Sequence, residues 1–242
     1  MSDESAIEEA VRDLVIANRI LAHEDVIDDF GHISVRNPVK PNHFFLSRSR
    51  SPELVTREDI FEFTLEGEPV SGMQGKRPYA ERYIHGAIYA ARPDVHSVSH
   101  HHARSVLPFT VSKTPLRPVF HMGSVIGKNV PVWDSQPEFG DTNMLVDCWE
   151  MGVSLAKTLG NDTVVLLARH GAAVAASSVK DCVFTSVYLN ETAEVLLNAL
   201  PLGEPSYLTD GEIDMTASML RGPMPQERAW TYYVKRAGYE GL

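Results

Sequence analysis

The stretch VHSVSHHHARSV, residues 95–106, places three histidines in a row and a fourth at His96. Read as an alternating strand, it puts His96, Val98, His100 and His102 on one face and Ser97, Ser99 and His101 on the other. Two imidazoles two residues apart on one strand face can hold one cation, and a third protein ligand still leaves a position open to substrate. An exposed, solvated histidine strand is the competing reading, so partners decide. His170 closes TVVLLARHG, where an apolar run meets a glycine turn, a place that serves structure as readily as function. Glu81 and His85 stand four apart in AERYIHGAIYAA, a helical pattern that feeds the histidine strand after Pro93. Glu81 is thereby a candidate ligand or acid/base, against the alternative of a surface carboxylate favoured by the helix dipole. A cupin would show a glutamate shortly after the His-x-His pair, where this chain reads ARSVLPF, and an amidohydrolase barrel needs more chain for eight strand-helix units.

Composition bounds what these residues serve. Of 242 residues 43% are hydrophobic, enough for a normal core, and 32 acidic against 22 basic residues give a formal net charge of -10. That field disfavours general binding of nucleic acid or an anionic membrane, so an anionic substrate must be met by local arginines. The opening MSDESAIEEAVRDL has no basic region followed by an apolar run, and no apolar stretch reaches membrane-spanning length. A cytoplasmic protein is expected. Cys148 and Cys182, both in helix-like segments, are expected to be buried free thiols.

No repeat or flexible linker divides the chain, so one domain is expected over 1–242, with a helical extension at about 201–242. Ser5 with Glu8 three residues on has capping-box spacing and predicts the start of a first helix carrying Ile7, Val11, Leu14, Val15 and Leu21. GHISVRN, HFFLSR and FEFTLEGEPV read as short strands opening an antiparallel sheet. Helices are predicted over about 80–91, 142–159 (stopped by Gly160) and 178–200, with the strand TVVLLARHG between the last two and two short helices near the C-terminus.

The order GHISVR (31–36), AERYIH with Glu81, SHHH with His100 and His102, and LLARHG with His170 resembles the class II aldolase/adducin family over nearly the whole chain. The resemblance implies a single α/β/α domain around a mainly antiparallel sheet, His100, His102 and His170 as ligands of one divalent metal ion per subunit, and Glu81 as acid/base. It further implies a homotetramer with sites near subunit boundaries. Zinc or manganese suits the ligand set, with iron or cobalt as alternatives. Two departures bear on substrate. The family's sugar-phosphate aldolases have an asparagine after the first glycine and a Ser/Gly-rich phosphate loop, whereas this chain has His32 and LSRSRSPELV. SRSRSPELVTREDI, LRPVFHMG and ERAWTYYVKRAG instead resemble a branch that decarboxylates hydroxylated aromatic or pyridine dicarboxylates, such as 3,4-dihydroxyphthalate or 3-hydroxy-2-methylpyridine-4,5-dicarboxylate. A metal-dependent aldolase of a sugar or hydroxyacid is the alternative, and a non-enzymatic adducin-like binding module a more distant one.

On the decarboxylase reading, Glu81 carries the proton that reaches the ring carbon bearing the carboxylate. The carboxylate that stays needs cationic grips, for which Arg48 and Arg50 are the first candidates, with Ser47 and Ser49 adding hydrogen bonds. His121 is a candidate polar group near the ring, Arg82 can reach toward the site or pair with surface acids, and Tyr232 or Tyr233 can stack on the ring from a neighbouring subunit.

Overall fold

The first helix, α1 (Asp3–His23), begins one turn before the expected start. In the computed structural model, which describes residues 2–239, Ser2 is the N-cap and its hydroxyl accepts from the Ser5 amide at 3.2 Å. Asp3 and Glu4 then occupy the first turn, where the helix dipole favours acids. Val11, Leu14, Ala17 and Leu21 are buried, and Val15 is half-buried at the margin of that stripe.

Strands β1 (His32–Arg36), β2 (His43–Ser47) and β3 (Ile60–Thr64) form the expected antiparallel meander. Helix α2 (Arg82–Ala91) leads past Pro93 into β4 (Ser97–His101), which pairs antiparallel with β1. After a short helix α3 (Leu107–Thr110) and a 3-10 helix (His121–Ile126) come β5 (Val132–Trp133) and the short α4 (Gln136–Phe139). Helix α5 (Trp149–Leu159) then stops at Gly160, whose φ of 54° is the left-handed conformation that suits a glycine C-cap. The remaining elements are β6 (Val164–Leu167), β7 (Gly171–Ala176), α6 (Val179–Ala199), α7 (Asp210–Leu220) and α8 (Pro223–Arg236).

Two boundaries differ from expectation, each for a local reason. The helix expected from 142 begins only at Trp149, because Thr142 and Asn143 bind the amides of Met144 and Leu145 at 3.0 and 2.9 Å and so hold the backbone in turns. The strand expected to run to His170 ends at Leu167. Arg169, at a φ of 60°, turns the chain, and His170 sits in the tight connection to β7.

The strands make one seven-stranded sheet in the order β3-β2-β1-β4-β7-β6-β5, with every pair antiparallel except β5 with β6. Strand alternation sends Ile33, Val35, Phe45, Leu166 and Val174 to one face, where they pack with residues of α1, α6 and α8. Phe44, Leu46, Phe63, Val98, Val165 and Ala173 pack on the other face with residues of α2 and α5. The fold is therefore α/β/α around a mainly antiparallel sheet, as the residues and their resemblance led one to expect. Cys182 is buried in α6, where burial pushes its thiol up to about 12, whereas Cys148 is only half-buried as the residue before α5. Among the described residues no helix is long and apolar enough to cross a membrane.

Candidate active site

His100 lies on the central strand β4 and is fully buried. Its Nδ1 stands 3.1 Å from the carbonyl of Ala172 on β7, which accepts only if Nδ1 carries the proton. Nε2 is thereby left with its lone pair, the arrangement usual for a metal-bound imidazole. His102 continues the alternation just past the strand end, and its Nε2 comes to 3.1 Å from Nε2 of His100. The His170 ring, delivered by the β6–β7 turn, stacks on His102 with centroids 5.0 Å apart and meets His100 edge-on at 4.9 Å.

That turn can approach because residue 171 is glycine. A Cβ there would lie 2.4 Å from the carbonyl oxygen of His101. On the other side of β4, Gly31 plays the same part at a φ of 101°, with a Cβ position only 2.9 Å from the His100 carbonyl.

Glu81 occupies the N-cap position of α2 but does not cap it. Its side chain turns inward, so Oε2 lies 3.5 Å from His100 Nε2 and Oε1 lies 3.8 Å from His170 Nε2. The Val146 amide, in the irregular segment before α5, donates to Oε1 at 3.2 Å. Burial alone would push this carboxyl up, but His100, His170 and His32 together outweigh it and hold it below the ordinary carboxylate range. Burial and the neighbouring rings move His102 the other way, down to about 4, and lower His170. Near neutral pH Glu81 is thus ionised and the His102 and His170 rings are neutral.

One ligand atom from each of Glu81, His100, His102 and His170 lies within 4.8 Å of the others. Three imidazole nitrogens and one ionised carboxylate gathered this closely fit a divalent metal ion. The reading of Glu81 as a solvated surface acid is excluded, since it is 8% exposed.

A cleft of about 450 Å³ opens on the cluster, and His32, Ser49, Arg50, Tyr79 and Leu145 wall it beside Glu81, His102 and His170. A larger hollow of about 880 Å³, between α1 and a 3-10 turn (Arg57–Asp59), shares none of these residues. The sequence profile described as Class II Aldolase and Adducin N-terminal domain matches residues 12–197.

The chain belongs to this family.

A curated relative, decarboxylase tropJ of Talaromyces stipitatus, is 30% identical over 213 residues, covering 83% of this chain and 80% of its own. A 3,4-dihydroxyphthalate decarboxylase of Arthrobacter keyseri is 26% identical and covers 92% of each chain. Among solved structures, an L-fuculose 1-phosphate aldolase of Glaciozyma antarctica superposes with a TM-score of 0.81 over 98% of this chain and 91% of its own at 22% identity, a likeness of fold.

Within this family fold the expected substrate contacts separate. Ser49 and Arg50 line the cleft, the second with Nη1 3.3 Å from Asp59. Arg48 lies just past the end of β2 and turns to Asp59, which Arg50 also approaches: Arg48 Nε lies 2.6 Å from a carboxylate only 3% exposed. Ser47, the last residue of β2, is buried and does not reach the cleft wall. His121 stands exposed beside the Met122 sulfur, and Tyr232 is 54% exposed on α8, where Arg236 donates to its hydroxyl. The single chain brings neither to the cluster. Arg82 does neither of the things expected of it, since it donates to the carbonyls of Gly67 and Tyr79. His101 turns to the opposite face and is fully buried, as alternation requires, while His96 is exposed ahead of the strand.

Three participants escaped the sequence. Asp59 organises the arginine pair, and its only trace was the Thr56-x-x-Asp59 spacing, a capping box in the structure. Tyr79 donates its hydroxyl to the carbonyl of Arg50 and so fixes the loop that carries this arginine. His32, noted only as a departure from the aldolase pattern, stands opposite His100 in the β1–β4 register with ring centroids 5.2 Å apart. No spacing within one segment announces a contact made across two strands.

Proposed function

We propose that the protein is a lyase that removes carbon dioxide, without oxidation, from a hydroxylated aromatic or heteroaromatic dicarboxylate. One observation carries this reading: the cluster of Glu81, His100, His102 and His170 opens onto a cleft whose wall supplies an arginine, Arg50, and an aromatic ring, Tyr79. A planar anion in this cleft would meet a cation site, a guanidinium and an aromatic ring within one wall. Support comes from the two relatives named as decarboxylases, which align over most of their lengths.

His100, His102 and His170 would hold a divalent ion, zinc or manganese before iron or cobalt, with Glu81 beside it. When bound, the ion supplies positive charge that favours the ionised hydroxyl of the substrate and an electron-rich transition state. Arg50 grips the carboxylate that stays, and Ser49 adds a hydrogen bond. Glu81, ionised and held by the Val146 amide, takes the proton of the substrate hydroxyl and delivers it to the ring carbon that bears the departing carboxylate. The electron pair of the broken carbon–carbon bond returns to the ring as carbon dioxide leaves, and aromaticity is restored.

The reading treats 1–242 as one family domain with a helical extension at about 201–242, where α7 and α8 lie beyond the matched 12–197. It also takes the molecule as a cytoplasmic homotetramer. His121 and Tyr232 enter it only through a neighbouring copy, because both are remote from the cluster of their own chain.

The test loads the protein with manganese or zinc and measures carbon dioxide from 3,4-dihydroxyphthalate and 3-hydroxy-2-methylpyridine-4,5-dicarboxylate, against aldehyde from L-fuculose 1-phosphate. Carbon dioxide release is expected. Aldehyde formation alone would replace this reading by an aldolase, and absence of any stoichiometric divalent ion on elemental analysis would overturn both.

A further inference from the structure

We propose that His32 is a further substrate-contacting residue, a hydrogen-bond donor to an anionic oxygen of the hydroxy acid, aimed by a buried chain of three positioning residues, His85, Ser34 and Tyr89. The proposal rests on the decarboxylase reading for the kind of ligand, and on the following geometry for the residue.

His32 opens β1, is 2% exposed, and still forms part of the wall of the cleft beside Glu81 and His102. Its Nδ1 is committed inward, 2.6 Å from Nε2 of His85 on α2. His85 Nδ1 in turn lies 2.7 Å from the Ser34 hydroxyl, and that hydroxyl lies 2.8 Å from the hydroxyl of Tyr89. His85, Ser34 and Tyr89 are each at most 1% exposed. Among the described residues no hydrogen bond is made by His32 Nε2, which is left for whatever enters the cleft.

The direction of the chain follows from its closed end. A buried hydroxyl must donate, and among the described residues the Ser34 oxygen, at 2.8 Å, is the side-chain acceptor beside the Tyr89 hydroxyl, so Tyr89 donates to Ser34. Ser34 then gives its own proton either to His85 Nδ1 at 2.7 Å or to the Val98 carbonyl at 3.4 Å, and the shorter contact wins. With Nδ1 accepting, neutral His85 carries its proton on Nε2 and donates to His32 Nδ1. Neutral His32 therefore bears its proton on Nε2 and presents an N–H to the cleft. A chain of four buried polar groups that served packing alone would be matched by apolar side chains; a directed N–H at its open end gives it a task.

The test uses zinc-loaded protein. Nitrogen-15 imidazole spectra of the wild type should show His32 protonated on Nε2, and Tyr89→Phe, which removes the far donor, should shift that tautomer ratio. His32→Phe should keep one zinc per chain and lose about 10- to 100-fold in calorimetric affinity for 3,4-dihydroxybenzoate, the product of 3,4-dihydroxyphthalate decarboxylation, as expected for a hydrogen bond to a charged group. His32 protonated on Nδ1 in the wild type, or unchanged affinity in a zinc-replete His32→Phe protein, overturns the proposal while carbon dioxide release stands. Wild-type protein that neither binds this probe nor releases carbon dioxide from the hydroxyaromatic diacids removes the functional reading and the role of His32 together. The spectrum of the unaltered protein decides the tautomer even where His32→Phe does not fold.

Discussion

Glu81 shows how one side chain is given its task by position. Placed at the end of a helix it does not cap, it gives its carboxylate to two histidines, His100 and His170, and one amide. Glu81→Gln keeps the shape and an oxygen but cannot carry the proton. Its kcat is expected to fall by about 10²- to 10⁴-fold with metal content retained, checked by carbon dioxide release and elemental analysis side by side. Arg50 makes a different prediction, because its role is binding. Arg50→Lys keeps the charge but not the planar fork, so KM for a dicarboxylate should rise by about tenfold while kcat changes little in steady-state assays. Arg48, tied to buried Asp59, should show the reverse of a substrate contact: Arg48→Ala lowers the thermal midpoint, since it leaves an acid that is 3% exposed short of a partner. Its KM should stay near that of the wild type.

At the scale of elements, the site is assembled where four segments end or begin: the end of β4, the β6–β7 turn, the start of α2, and the start of β1. Pairing across the sheet sets these ends together, and the two close approaches at Gly31 and Gly171 allow it. Gly171→Ala would drive a methyl into the His101 carbonyl. A loss of about 1–3 kcal/mol in urea unfolding is expected, together with lower metal occupancy, since both His102 and His170 adjoin the displaced backbone. An alanine variant with native stability and full occupancy would contradict this account of the turn. The start of α1 offers a smaller test. Ser2→Ala should cost roughly 0.5–1 kcal/mol, the value of a lost N-cap, and Ser5→Ala should cost less, because the Ser5 side chain does not cap the helix.

Across the whole molecule, the concentration of neutral histidines in the interior couples stability to pH. His32, His85, His101 and His102 all have folded values below 6.5, the last three at about 3, 3 and 4, with burial the first cause in each. The unfolded chain binds protons at these sites from about pH 6.5 downward while the folded chain does not. Their contribution is therefore fully present above pH 6.5 and is lost as pH falls toward 4, at about 1.4 kcal/mol per pH unit for each site. Urea midpoints of metal-free protein at pH 8.5, 7.5 and 5.5 should be nearly level for the first two and lower at the third. A bound cation should oppose the loss, because it binds only the deprotonated ligand set. Much of this was readable in the chain. Alternation in HSVSHHH separated His100 and His102 from His101, and periodicity found α6 nearly to its ends. The spacing of apolar residues drives burial of one strand face or one helix stripe, so such patterns are local and carry their own meaning. The partnership of His32 with His85 and His100, the capture of Arg48 by Asp59, and the separation of His121 and Tyr232 from the cluster were decided only in three dimensions. Each depends on strand register and on which loops meet at a sheet end, and those are settled by contacts between segments far apart in the chain, which no single stretch of sequence contains.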